Sequence, residues 1–144
     1  MRKGLAVLVA VFALMAASCT GHITGGGFVL DAAEAGKANF GFNLNCDSLE
    51  DSKGHVTYHD KSEGLKASGT VTACLPDGAV GTWTPQGKST FVGGTFVVTV
   101  VDNGEPGTAD TFSITLYDGA VFLSTVVYEN KGILLGGNIQ NHDA

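Results

Sequence analysis

Apolar side chains recur at every second position through much of the chain. Over residues 37–45 the alternation is strict, with Ala38, Phe40, Phe42 and Leu44 on one face and polar or small residues on the other. Residues 111–116 repeat it, with Phe112, Ile114 and Leu116 on the apolar side. A period of two is the mark of a strand with one dry face and one wet face. Less regular runs rich in Val, Thr and Phe predict further strands over 22–30, 55–59, 65–74, 80–84, 95–101, 120–128 and 133–140. Within these, 95–101 and 121–127 are apolar at both parities, which predicts strands covered on both faces. Turn residues separate the runs: Ser52-Lys53-Gly54, Pro76-Asp77-Gly78, Asp102-Asn103-Gly104 and Asp118-Gly119, the last as a two-residue hairpin. One helical turn is expected, at residues 31–35, ended by Gly36. Eight or nine short strands joined by local turns predict an all-β domain, an antiparallel β-sandwich or, alternatively, a closed up-and-down β-barrel.

The first twenty residues follow a different rule. Arg2 and Lys3 precede about 14 weakly polar or apolar residues, and Ala16, Ala17 and Ser18 lead into Cys19. Charge, apolar core and small residues in that order form a secretory signal peptide, and the run is shorter than the ~20 residues that span a bilayer. The chain therefore divides into a signal peptide, 1–18, and a single β-domain with a short N-terminal tether, 19–144. Met15-Ala16-Ala17-Ser18-Cys19 resembles the lipobox of bacterial lipoproteins, whose cysteine is acylated. Parity points the same way: of Cys19, Cys46 and Cys74, lipidation of Cys19 leaves one matched pair for an oxidising compartment. Cys46 and Cys74 are expected as a disulfide, since neither has the CxxC spacing of a zinc or redox site. The predicted location is the cell envelope, with the lipid holding the protein to a membrane; plain secretion as a soluble protein is the alternative.

Loss of the leader sharpens the charge. Without Arg2 and Lys3, six cationic side chains stand against fourteen acidic ones, a net charge of −8 with no arginine left. Such a surface repels phosphate backbones and lacks the guanidinium fork that reads them, so nucleic acid is excluded as a partner. The partners expected are the membrane, through the lipid, and an unidentified protein or envelope polymer. Exposed aromatics such as Trp83 or Tyr117 would make the contacts, although Trp83 better suits a core or rim anchor.

Several segments together resemble a known family. Gly25-Gly26-Gly27-Phe28, the run from Gly36 to Phe42, Asp102-Asn103-Gly104-Glu105-Pro106-Gly107, the run from Asp110 to Ile114, and the run from Leu135 to Gln140 occur in this order. This set is similar to the post-COAP family of secreted bacterial β-domains over residues 25–142. Members often carry Trp or Tyr where this chain has Phe28. The resemblance implies an exported, all-β and usually non-catalytic module, and brings no catalytic residues with it.

Candidate chemistry is sparse. Asp102, Asn103, Glu105 and Asp110 place four oxygen-bearing side chains within nine residues, a set that could hold calcium, although an ordinary turn uses the same residue types. His55 and His59 share one face of a strand but lie about 13 Å apart along it, too far to chelate one ion. His22 and His142 are expected at the two ends of the domain, exposed to solvent. No nucleophile elbow, zinc-protease helix or phosphate loop occurs. No cofactor is expected beyond the weak calcium set. The function predicted is a non-catalytic, surface-anchored structural or interaction domain, with a small-ligand-binding barrel as the alternative.

Overall fold

The alternating runs become nine strands. The computed structural model describes residues 21–46, 52–75, 77–87, 93–104, 109–118 and 125–142. The strands are β1 (Gly21–Leu30), β2 (Lys37–Cys46), β3 (Ser52–Asp60), β4 (Leu65–Leu75), β5 (Gly78–Pro85), β6 (Gly94–Val101), β7 (Thr111–Asp118), β8 (Thr125–Ile133) and β9 (Gly136–Asn141). Each of β1 to β7 pairs antiparallel with the strand that follows it, and β9 pairs antiparallel with the other edge of β1. All nine lie in one sheet, in the order β8-β7-β6-β5-β4-β3-β2-β1-β9. The all-β expectation holds, and the connectivity is that of an up-and-down meander.

The sheet is curled. At ~4.8 Å per strand, a flat sheet would hold β2 and β7 roughly 24 Å apart. Instead the rings of Phe40 on β2 and Phe112 on β7 stack with centroids 4.1 Å apart. Phe42 and Tyr58 gather round the same Phe112 ring, at 6.3 and 5.9 Å. Opposite walls thus meet through their inward side chains, and the core is one cluster running from Val29 to Ile139.

Closure comes from the chain itself. Alternation of direction makes β1 and β7 run the same way; β8 opposes β7 and β9 opposes β1, so β8 and β9 also share a direction. Only Leu134 and Leu135 separate them. They act as one long bent strand whose first half closes on β7 and whose second half closes on β1. At the bend, the Leu134 N–H donates to the Asp110 carbonyl (3.0 Å) and the Leu135 N–H to the Phe28 carbonyl (2.9 Å).

Interior bulk is matched by missing side chains. A Cβ on Gly69 or Gly81 would lie 2.8 or 2.7 Å from the Phe96 ring, so that ring fills the space two facing strands leave empty. On β4, a register shift between Val71 and Ala73 changes which parity points inward. Leu65, Ala67 and Val71 are buried before it and Cys74 after it. That shift turns Cys74 towards Cys46, and the two are joined as a disulfide with Cα atoms 6.0 Å apart.

Some sequence expectations fail locally. Residues 31–35 form a turn rather than a helical one: the Asp31 N–H donates to the Gly36 carbonyl, the Asp31 side chain accepts from the Ala35 N–H, and Glu34 adopts φ 56°. The short 3-10 turn lies at Lys61–Glu63, capped by Asp60. Ser52-Lys53-Gly54 opens β3 instead of forming a turn. The Asp118-Gly119 hairpin is replaced by a longer connection, because Asp118 pairs with Thr125. The strand expected at 120–128 lies later, and Val126 on it is half exposed, so it is not covered on both faces.

Candidate functional site

Of the weak calcium candidates, Asp102 and Asp110 accept hydrogen bonds from backbone amides. Asp110 is fully buried just before β7. Its Oδ1 accepts from the Asn103 N–H (2.7 Å) and its Oδ2 from the Ile139 N–H on β9 (2.8 Å). The Asn103 side-chain amide donates to the Ala109 carbonyl at 2.6 Å, and Asp102 Oδ1 accepts from the Gly104 N–H at 2.9 Å. Glu105 lies outside the described residues. Asp110 is thus a pin between the β6–β7 connection and the closing strand. Among the described residues, no group of three or more His, Cys, Asp or Glu side chains is arranged to hold a metal ion.

The histidines sort differently from their sequence positions. His22 and His142, expected at separate ends, lie side by side because β9 returns along β1. Their ring centroids are 5.0 Å apart, His22 bonds Asn43 Oδ1 (2.8 Å) and His142 bonds Thr24 Oγ1 (2.8 Å). His55 and His59 do share the outer face of β3, and His55 Nε2 lies 3.0 Å from Ser68 Oγ. Trp83 is buried in the core, its indole N–H donating to the Tyr117 carbonyl at 3.1 Å.

A buried polar cluster that the sequence did not announce joins β3 to β8. The Tyr128 hydroxyl donates to Asp60 Oδ2 (2.6 Å) and lies 2.5 Å from the Tyr58 hydroxyl. Asn130 Nδ2 reaches both the Tyr58 hydroxyl and the Leu30 carbonyl, at 2.9 Å each. Asp60 also accepts from the N–H and hydroxyl of Ser62 and from the Ala32 N–H. Burial alone would push the Asp60 carboxyl up, but these hydrogen bonds outweigh it and hold the group below the ordinary carboxylate range. Burial raises Tyr58 despite its hydrogen bonds, and burial together with the adjoining carboxylate and phenol pushes Tyr128 far above the ordinary phenol. Phenols held this firmly protonated are poor bases and nucleophiles at neutral pH. The cluster locks the seam.

Among the described residues the core is tight around the Phe96 ring. The space between Val56, Ala67, Gly69, Trp83, Phe96 and Ile114 is about 10 Å³, enough for one water at most. The concavities worth attention are on the outside. One, of about 340 Å³, lies over β2, β3 and β4 and is lined by Asn39, Gly41, Thr57, His59, Lys66 and Ser68, with Gln86 at its rim. Register makes it: Asn39 faces His59 and His59 faces Lys66, while Gly41 faces Thr57 and Thr57 faces Ser68. The missing side chain at Gly41 forms the floor.

Comparison with sequence families, with curated proteins and with solved structures finds no significant match to the chain. The predicted acylation site, Cys19, lies outside the described residues.

Proposed function

We propose that the chain is a cell-envelope lipoprotein whose non-catalytic β-barrel-like domain, of the type its resemblance to the post-COAP family implies, acts as a structural or interaction module at a bacterial surface. The observation that carries this reading is the leader ending at Cys19, followed at once by the fold, since β1 begins at Gly21. Several acyl chains on one cysteine would anchor stably at ~0.8 kcal/mol per buried methylene, and a tether this short would seat the start of β1 beside the headgroups. The rigid seam, a disulfide across the strand ends and a filled interior suit a surface module.

The test is the intact mass and partitioning of the protein from membranes of its own host. An acyl mass increment at the N-terminus and retention in the detergent phase are expected, with Cys19→Ser releasing the protein to the soluble fraction. A soluble protein with an unmodified Cys19 would overturn the reading.

A further inference from the structure

We propose that the outer face of β2, β3 and β4 binds an acidic polysaccharide, with a carboxylate-bearing sugar seated in the groove over Gly41. The inference rests on the envelope reading for where the polymer is met; its chemistry stands on the face itself.

Charge is segregated among the described residues. Outward positions of β1 to β5 and β9 carry Lys37, Lys53, Lys66, His22, His55 and His59, and no carboxylate. Asp60 and Asp110 point inward, and the other described carboxylates lie in turns, at the end of β7 or on β8. In a chain of net charge −6 that is a marked bias. It gives an acidic polymer one face to approach and repels it from the turns.

Groove chemistry names the ligand class. Asn39 and Gln86 each offer an amide donor and an acceptor, and the hydroxyls of Thr57, which donates to the Gly41 carbonyl, and Ser68, which bonds His55, each keep one further hydrogen-bonding position. Those groups match the mixed donors and acceptors of sugar hydroxyls. Lys66, beside His59 in register, supplies a charge-assisted partner for a carboxylate. A volume of about 340 Å³ lies at the lower end of the ~300–1,000 Å³ typical of small-molecule sites. Without arginine the face lacks the fork that favours phosphate.

Position selects a polymer over lipid headgroups. Asn39 pairs with Phe28, seven residues along β1 from Gly21. At ~3.3 Å per residue the groove sits roughly 23 Å from the anchored end, well beyond the ~8 Å over which salt leaves charges able to interact.

The experiment is binding of the full protein, purified from membranes in mild detergent, to sodium polygalacturonate, to neutral dextran and to phosphatidylglycerol vesicles. Binding to polygalacturonate, weakened by added salt and absent with dextran, is expected. Lys66→Gln should weaken it roughly tenfold. Gly41→Val should fill the groove and abolish binding with only a small fall in melting temperature, because the new side chain points outward and its nearest neighbour, 3.3 Å from the added Cβ, is the rotatable Thr57 hydroxyl. Lys131→Gln, on β8, should change nothing. Equal binding to dextran, preference for vesicles, failure to bind polygalacturonate, or wild-type binding by both groove variants would overturn the proposal. Cys19→Ser protein binding polygalacturonate normally would support the groove even where the lipid anchor fails, so the two readings fail separately.

Discussion

Replacing Tyr128 with Phe removes one oxygen and leaves the ring that packs beside Tyr58, with centroids 5.5 Å apart. That oxygen donates to Asp60 at 2.6 Å, whereas the Tyr58 hydroxyl keeps Asn130 as a partner. The change therefore removes the charge-assisted bond to Asp60 together with the neutral bond that the Tyr58 O–H donates to the Tyr128 oxygen. Hydrogen bonds to charged groups contribute ~1.5–3 kcal/mol and neutral ones ~1 kcal/mol, and Asp60 retains Ser62 and Ala32, so a loss of about 3 kcal/mol is expected at pH 7. For a domain of this size that is a fall of roughly 12 °C in melting temperature.

The sign of the pH effect follows from Asp60. Its folded pKa is depressed, so its contribution is present above the unfolded value and is lost as pH falls through the folded one. Once the carboxyl is protonated, Tyr128 makes an ordinary neutral hydrogen bond worth ~1 kcal/mol. Urea denaturation of wild type and Tyr128→Phe over a series of pH values descending from 7 until the Asp60 carboxyl protonates reads both quantities. The gap between the two proteins should narrow by about 1 kcal/mol on acidification, the Tyr58 bond being lost at every pH. A loss below roughly 0.5 kcal/mol at pH 7, or a gap that does not change with pH, would refute the assignment of Asp60 as a charged acceptor at the seam.

Three further outcomes are expected. Cys46→Ala with Cys74→Ala should cost about 3–4 kcal/mol in urea denaturation, the chain-entropy value for a loop of 28 residues, and adding reductant to the wild type should reproduce it. Because folding raises the pKa of Tyr58 and Tyr128, stability should be complete below the unfolded value near ~10 and fall above it; tyrosinate absorbance from these two should emerge only with unfolding. Asp110→Ala should lower stability by roughly 3 kcal/mol and speed amide exchange at Ile139, while calcium or a chelator leaves the melting curve of the wild type unmoved.

The elements were legible wherever one period ruled. Phe40, Phe42, Phe112 and Ile114 point inward as their spacing requires, and the Cys46–Cys74 pairing follows from counting thiols. What failed was the end of the chain. Glu129-Asn130-Lys131-Gly132 falls between the strands expected at 120–128 and 133–140, yet it is the part of β8 that lies against the start of the sheet. There Asn130 bonds the Leu30 carbonyl, and Gly132 lies against Val29. The polar side chain is a long-range partner, and a local pattern carries no record of what lies 100 residues away. Asp60 hides for the same reason: beside Lys61 and Glu63 it reads as solvated charge, whereas its position on β3 turns it inward to Tyr128. The loop from Asp102 to Asp110 left two readings open, since acidic spacing cannot distinguish oxygens aimed at a metal from oxygens aimed at backbone amides, as those of Asp110 are.

The same tertiary facts determine where function can lie. A curled sheet of nine strands could have enclosed a cavity; stacked phenyl rings and the Phe96 ring over Gly69 and Gly81 fill this one. Its buried carboxylates and phenols are committed to one another and to backbone amides, so they hold the walls together. The outer wall presents a different set of groups. There the sheet displays Lys, His, Asn, Gln, Ser and Thr side chains in cross-strand register, and one glycine opens a hollow among them. Valine at position 41 would suit a strand better than glycine by propensity alone. A stability-driven surface gains nothing from the hollow, so Gly41→Val separates a wall kept for folding from a wall kept for contact.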